Sequence, residues 1–381
     1  MDKISIKKVD NLMKAAQLKK EQNNLTESID LLKKILDIDP QNKKAINNIG
    51  NIYKEQTKYD EAIKCYEKSV LIDSNYQIAK TNLAVLYHEM GNLSKAEAIY
   101  KELITNDNKN LSIYFNLSRI NFDFFSEEVI NQIKDIIEKK NINNFNKSSG
   151  YFILAKYENK KKNFKKEMEY LNMGHDFFCK SVNPKVFNQN LFFWLDIIPK
   201  KFNKFKIINK SSYEKKNNLL NPIFIIGMPR SGSTLLESII SSGKETIPNG
   251  GETAIINWAV LKSVKEENSE LFNQNQITID LKKISKDIIE RYENLNLLKK
   301  EKNFFFIDKS LENFFYIELI LNLFPNAKFI HCERNHIDSI FAIYQNFLTK
   351  MTWTHSLANI LSYLDNYLFV MNHYKQKFGN Q

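Results

Sequence analysis

The stretch Gly227-Met228-Pro229-Arg230-Ser231-Gly232-Ser233-Thr234 joins residue types that together can hold an anion. Its glycines let the backbone turn tightly, and the amides and hydroxyls that follow can converge on an oxyanion. The spacing Gly-x4-Gly followed by Ser-Thr is near that of a nucleoside-triphosphatase phosphate loop, but Ser233 stands where those proteins carry lysine. Without it the β and γ phosphates lack their standing countercharge. Arg230 supplies instead a planar, permanently charged donor suited to a single anionic group. Three later segments carry charges at defined places. Asn249-Gly250-Gly251-Glu252-Thr253 sets an acid after a turn, Phe304-Phe305-Phe306-Ile307-Asp308-Lys309 ends an apolar run in opposite charges, and Ala327-Lys328-Phe329-Ile330-His331-Cys332-Glu333-Arg334 ends another in arginine. Asp308 in that setting also reads as a magnesium ligand, so a P-loop kinase or nucleotidase stays open on the residues alone.

Each segment needs an element behind it. Ile223-Phe224-Ile225-Ile226 has the pattern of a buried parallel strand, and 235–242 that of a helix. Strand, loop and helix in that order bring the helix N-terminal amides and dipole to the anion. Residues 304–307 and 327–333 predict two more strands, with their charged ends at the carboxyl edge where open α/β sheets bind ligands. Helices are expected over 254–261, from near Ile337, and within 357–378. His331 and His336 have no ligand partner at metal spacing and are given no role. Asp338 reads as a first-turn acid.

The first third repeats with a period of 34: Ala45 falls on Ala79, Tyr53 on Tyr87, Ala62 on Ala96, Tyr66 on Tyr100 and Asp73 on Asp107. Small residues mark where paired helices touch, and the tyrosines fill the spaces between successive pairs. Asp39-Pro40-Gln41-Asn42, Asp73-Ser74-Asn75 and Gly91-Asn92 are the turns. This resembles the tetratricopeptide family over about 11–112, with a further hairpin expected over 147–180. A fold of α plus α/β class follows: an N-terminal α-solenoid over 1–180, a linker region over 181–218 rich in lysine and asparagine, and a P-loop-like parallel-sheet domain over 219–381.

The C-terminal pattern resembles the sulfotransferases that use 3′-phosphoadenosine 5′-phosphosulfate, especially those with tetratricopeptide repeats in front and, more distantly, the tyrosylprotein sulfotransferases. The likeness covers roughly 222–347. It implies sulfuryl transfer to a hydroxyl or amine, with that nucleotide as co-substrate and no metal. By position it implies that Arg230, Ser231, Gly232, Ser233 and Thr234 hold the 5′-phosphosulfate, that Glu252 is the base, and that Lys309 faces the leaving phosphate. It further implies that Arg334 binds the 3′-phosphate. The family's assisting serine falls on Ala342; Ser339, three residues earlier on the same helix, is the expected substitute. The family usually continues with another strand, helix and closing segment, so the domain is expected to be short at its C-terminus. An inactive domain beside a protein-binding repeat scaffold is the other alternative.

A net charge of +11 attracts anions of any kind, yet no zinc-finger spacing, RNA-binding aromatic motif or basic region with heptads accompanies it, so no nucleic-acid partner is expected. Cys65, Cys179 and Cys332 form neither a CxxC pair nor a disulfide framework. The N-terminus runs directly into charged residues and no apolar run is long enough to span a bilayer. A cytoplasmic protein without membrane partners is expected, with a possible protein partner on the repeat groove. The acceptor, whether protein, saccharide or small molecule, is not specified by the sequence.

Overall fold

The computed structural model describes residues 3–22, 24–209, 220–243, 246–266, 277–298 and 304–379. The chain divides into two compact units, Met1–Gly174 and His175–Gln381.

The first unit is built of antiparallel helical pairs. Its helices are α1 (Lys3–Glu21), α2 (Leu25–Ile38), α3 (Lys43–Glu55), α4 (Tyr59–Ile72), α5 (Gln77–Glu89), α6 (Leu93–Asn106), α7 (Leu111–Ile120), α8 (Glu127–Glu138) and α9 (Asn144–Lys160), followed by α10 (Phe164–Ser181), which runs on into the second unit. Asparagine and serine side chains start several of them. Asn42 accepts from the Ala45 amide, Ser126 from that of Val129 and Asn143 from that of Asn146, filling donors that a helix start leaves open. Ala45, Ala62, Ala79 and Ala96 are fully buried, as are Tyr66 and Tyr100, so the repeat register is a packing register. A side chain at Gly50 would meet the Tyr66 ring at 2.8 Å, which lets α3 and α4 approach closely. The Tyr66 hydroxyl meanwhile donates to Asn51 Oδ1 at 2.8 Å.

The second unit begins helically. The stretch expected as linker contains α11 (Pro184–Phe192), a π-helical turn at Phe193–Ile197, α12 (Ile198–Lys201) and β1 (Phe205–Ile208); residues 210–219 lie outside the described residues. Asn183 caps α11, with Pro184 placed where its missing N–H has no helical partner. Then follow β2 (Leu220–Gly227), α13 (Ser233–Ser241), α14 (Ile255–Glu266), β3 (Ile277–Asp280), α15 (Leu281–Asn294), β4 (Phe304–Asp308), a 3-10 helix (Leu311–Tyr316), α16 (Ile317–Leu323), β5 (Lys328–Cys332) and α17 (His336–Tyr344). A second 3-10 helix (Thr352–His355) and the long α18 (Leu357–Phe378) complete the unit. The described strands form a parallel three-stranded sheet in the order β4-β2-β5 and a parallel pair β1-β3.

Apolar residues run almost unbroken through β2, as a strand covered on both faces requires. Phe224, Phe306 and Phe324 are fully buried, with Phe224 stacked on Phe329 and Tyr292 tilted against Phe306. Register sets Phe224 opposite Asp308 and Gly227 opposite Cys332. The three segments that carry charge therefore emerge along one edge of the sheet.

Candidate active site

The loop after β2 departs from ordinary backbone at two points: Arg230 has φ 66° and Gly232 φ 97°. A non-glycine residue in the left-handed region is strained by on the order of 1 kcal/mol or more, and such strain gathers where a side chain must be aimed. The helix α13 opens immediately afterwards at Ser233, with no acid in its first turn. Its first amides have no helical acceptor, and the positive end of the helix dipole is left unopposed.

Around this loop lies a cleft of about 320 Å³. Arg230, Ser233, Thr234, Glu252 and Arg334 form its polar wall, and Leu311, Leu348 and Met351 face them beside Pro229 and Gly232. The Arg334 guanidinium donates to the Arg230 carbonyl oxygen at 3.3 Å, which ties the end of β5 to the loop. Its other end lies 3.8 Å from Asp338. Among the described residues, two exposed guanidinium groups thus share one cleft with a single carboxylate on its wall.

Lys309 sits at the end of β4 and is buried. Its Nζ lies 3.0 Å from Glu237 Oε2, 3.2 Å from Thr234 Oγ1 and 3.8 Å from Glu252 Oε1. Glu252 reaches it because the preceding chain runs along β4. The Ile307 amide donates to the Pro248 carbonyl, Gly250 to that of Ile307 and Lys309 to that of Gly251. Gly251 closes this turn at φ 61°.

Asp308 holds the arrangement from below. It is completely buried, and its oxygens accept from Thr253 Oγ1 at 2.6 Å, Tyr292 OH at 2.7 Å, the Ser310 amide at 2.9 Å and Asn313 Nδ2 at 3.4 Å. Burial, with the Asp308 charge added, raises the Tyr292 phenol far above its usual range, so it stays a donor. Through Thr253 this carboxylate fixes the residue next to Glu252. Such a carboxylate, met by four donors, is suited to holding a turn in place.

Of the residues expected from sequence, Arg230, Gly232, Ser233, Thr234, Glu252 and Arg334 line the cleft, and Lys309 joins two of them from beneath. Two others stand apart. The Ser231 hydroxyl is buried beside the Cys332 thiol, whose ionisation burial disfavours. Ser339 is buried on α17 with no hydrogen-bond partner for its hydroxyl among the described residues, and it does not line the cleft. Sequence reasoning passed over Glu237, Leu348, Met351 and Glu312. Burial pushes the Glu312 carboxyl up to about 7 against a hydrogen bond from its own backbone, and the charges of Asp308 and Glu252 add to the rise.

Residues 222–380 match the model of the sulfotransferase family, while 44–109 and 9–42 match tetratricopeptide-repeat models. An uncharacterized protein of Aquifex aeolicus (strain VF5) is 27% identical over 274 residues, which cover 67% of this chain and 34% of that protein. The chain thus spans about a third of that relative's length. Among solved structures, YrrB, described as a TPR protein with an unusual peptide-binding site, matches at 17% identity and TM-score 0.33, over 44% of this chain and 84% of YrrB. MamA matches at 17% identity and TM-score 0.34, over 43% of this chain and 95% of MamA. Residues 222–380 are therefore a domain of the sulfotransferase family, and tetratricopeptide repeats precede it in the same chain.

Proposed function

We propose that the second unit moves a sulfuryl group from 3′-phosphoadenosine 5′-phosphosulfate to a hydroxyl or amine acceptor. The observation that carries this reading is the placing of Lys309 Nζ between the hydroxyl of Thr234 and the carboxylate of Glu252, beneath a cleft whose other charged lining, among the described residues, is two arginines. Those residues fit a co-substrate with an anion at each end. Arg230 and the first amides of α13 suit the phosphosulfate, and Arg334 the 3′-phosphate.

When bound, that nucleotide supplies the sulfuryl group, which passes to the acceptor as its bond to the 5′-phosphate oxygen breaks. Glu252, exposed enough to meet an acceptor, takes the proton that the acceptor oxygen or nitrogen gives up. Lys309 meets the negative charge collecting on the departing oxygen, with the Thr234 hydroxyl beside it. Arg230 and the loop amides hold the sulfuryl oxygens in line. Asp308 keeps Glu252 and Lys309 in register through Thr253 and the turn at Ser310. The fully accepted state of Asp308 favours this reading over a kinase or nucleotidase in which it would ligate magnesium. The repeats support a protein partner on their groove, and three free thiols support a reducing, cytoplasmic setting.

Calorimetric titration with 3′-phosphoadenosine 5′-phosphate, without magnesium, tests the reading directly. The wild-type chain is expected to bind it, and Arg230→Ala to bind on the order of tenfold to a hundredfold more weakly. Binding of ATP with magnesium alone would assign the cleft to phosphoryl transfer, and binding of neither would leave the repeats as the working part.

A further inference from the structure

The reaction above gives no task to the carboxylate closest to its lysine. Glu237 lies on α13, three residues beyond Thr234 and so on nearly the same helix face. Its side chain is only 6% exposed. Oε2 makes the 3.0 Å contact with Lys309 Nζ, while Oε1 is buried with no hydrogen-bond partner among the described residues. A buried carboxylate oxygen in that state is unfavourable by itself, and the contact with the Lys309 ammonium offsets it.

The contacts of Lys309 differ in kind. The partner at 3.8 Å, Glu252, is 56% exposed, so water screens that pair; Glu237 is both nearer and dry. Glu237 therefore sets where the ammonium rests and offsets most of its charge. An anion entering the cleft has beneath it a lysine already partnered, beside a buried negative charge that repels it.

We propose that Glu237 is a positioning residue that anchors Lys309 beneath the loop and keeps the affinity of the cleft for the departing bisphosphate moderate, so that product leaves. This rests on the reading of the cleft as a bisphosphate site. Glu237 does not touch the reacting atoms; it acts through Lys309.

The test is a double-mutant cycle in bisphosphate affinity, which needs no acceptor. 3′-Phosphoadenosine 5′-phosphate is titrated into the full chain as wild type, Glu237→Gln, Lys309→Met and the double variant, with thermal melts to establish folding. Glutamine keeps the shape and removes the charge, so Glu237→Gln is expected to bind roughly threefold to thirtyfold more tightly than wild type. In the Lys309→Met background Glu237 has no ammonium left to position or offset, so the gain from glutamine is expected to be largely lost. A purely structural ion pair predicts instead a lower melting temperature with equal or weaker binding. Should Glu237→Gln fail to fold, Glu237→Asp, which widens the gap to Nζ, is expected to tighten binding by a smaller factor. Unchanged or weaker binding by a folded variant, or the same gain without Lys309, overturns the inference while bisphosphate binding by wild type still supports the transferase. Wild type that binds no bisphosphate overturns both.

Discussion

At Gly227 the chain passes so close to β5 that a Cβ would lie 2.4 Å from the Cys332 carbonyl oxygen, with φ at 146°. Backbone cannot yield as a flexible side chain can. Gly227→Ala is expected to destabilise the second unit by on the order of 2–4 kcal/mol, read as a lowered melting temperature. Gly232 has a positive φ but open space around it, so Gly232→Ala should lose only about 1 kcal/mol. An equal loss at both positions would show that conformation, and not the approach to β5, governs Gly227. Residues differ in the same way in how far sequence displays them. Arg230, Glu252, Lys309 and Arg334 stand where strands or turns end, so local pattern exposes them. Glu237 carries no such mark, because a lone acid in a helical pattern reads as a solvated face, and its burial is set by a lysine that is distant in the chain. Leu348 and Met351 look like any apolar loop residues until the fold brings them to the cleft.

Among the elements, strands β2, β4 and β5 were legible because each is a short apolar run bounded by turn residues. The helices within 181–208 were not: lysines and asparagines on their outer faces mask a few buried anchors, Ile197, Ile198 and Phe202. The pair β1-β3 joins Phe205–Ile208 to Ile277–Asp280, a non-local pairing that no local pattern specifies. The segment from α17 to the second 3-10 helix, which supplies Leu348 and Met351, is fastened by two buried histidines. His175 on α10 lies 2.9 Å through Nε2 from the Tyr344 carbonyl oxygen and 2.9 Å through Nδ1 from His355 Nδ1. The carbonyl can only accept, so His175 carries its hydrogen on Nε2 and His355 donates from Nδ1. Burial pushes His175 down to about 4; burial and then the charge of His175 push His355 down to about 3. Both are neutral in the folded chain, whereas unfolded histidine takes up a proton below about pH 6.5. The unfolded state therefore binds more protons as pH falls, and stability present above pH 6.5 is lost progressively toward pH 4. The unfolding free energy of the second unit, read from urea titrations, should fall over that range by on the order of 2–3 kcal/mol per histidine, and His355→Asn should flatten the slope. A slope unchanged in the variant would assign the acid sensitivity to other groups.

On the scale of the whole molecule, the repeats and the second unit are separate problems of stability. Repeat stability is a sum of unit and neighbour-interface terms, so damage at one interface weakens the array through its neighbours. The period of 34 residues displayed this array because the same alanines and tyrosines recur at each interface, whereas the unit boundary at Gly174 falls inside the continuous α10 and has no sequence punctuation. Ala96 is fully buried in the same core cluster as Tyr100 and Leu103. Leucine there would force three extra carbons into closed packing, which typically destabilises by about 1–3 kcal/mol. Ala96→Leu is expected to lower the melting transition of the first unit by several degrees in scanning calorimetry. Every described residue lining the cleft belongs to the second unit, so affinity for 3′-phosphoadenosine 5′-phosphate should stay within about twofold of wild type, an effect too small to signal coupling between the sites. A parallel loss of bisphosphate affinity would instead make the repeats part of the binding apparatus, and a search for the acceptor would then start from the partner on their groove.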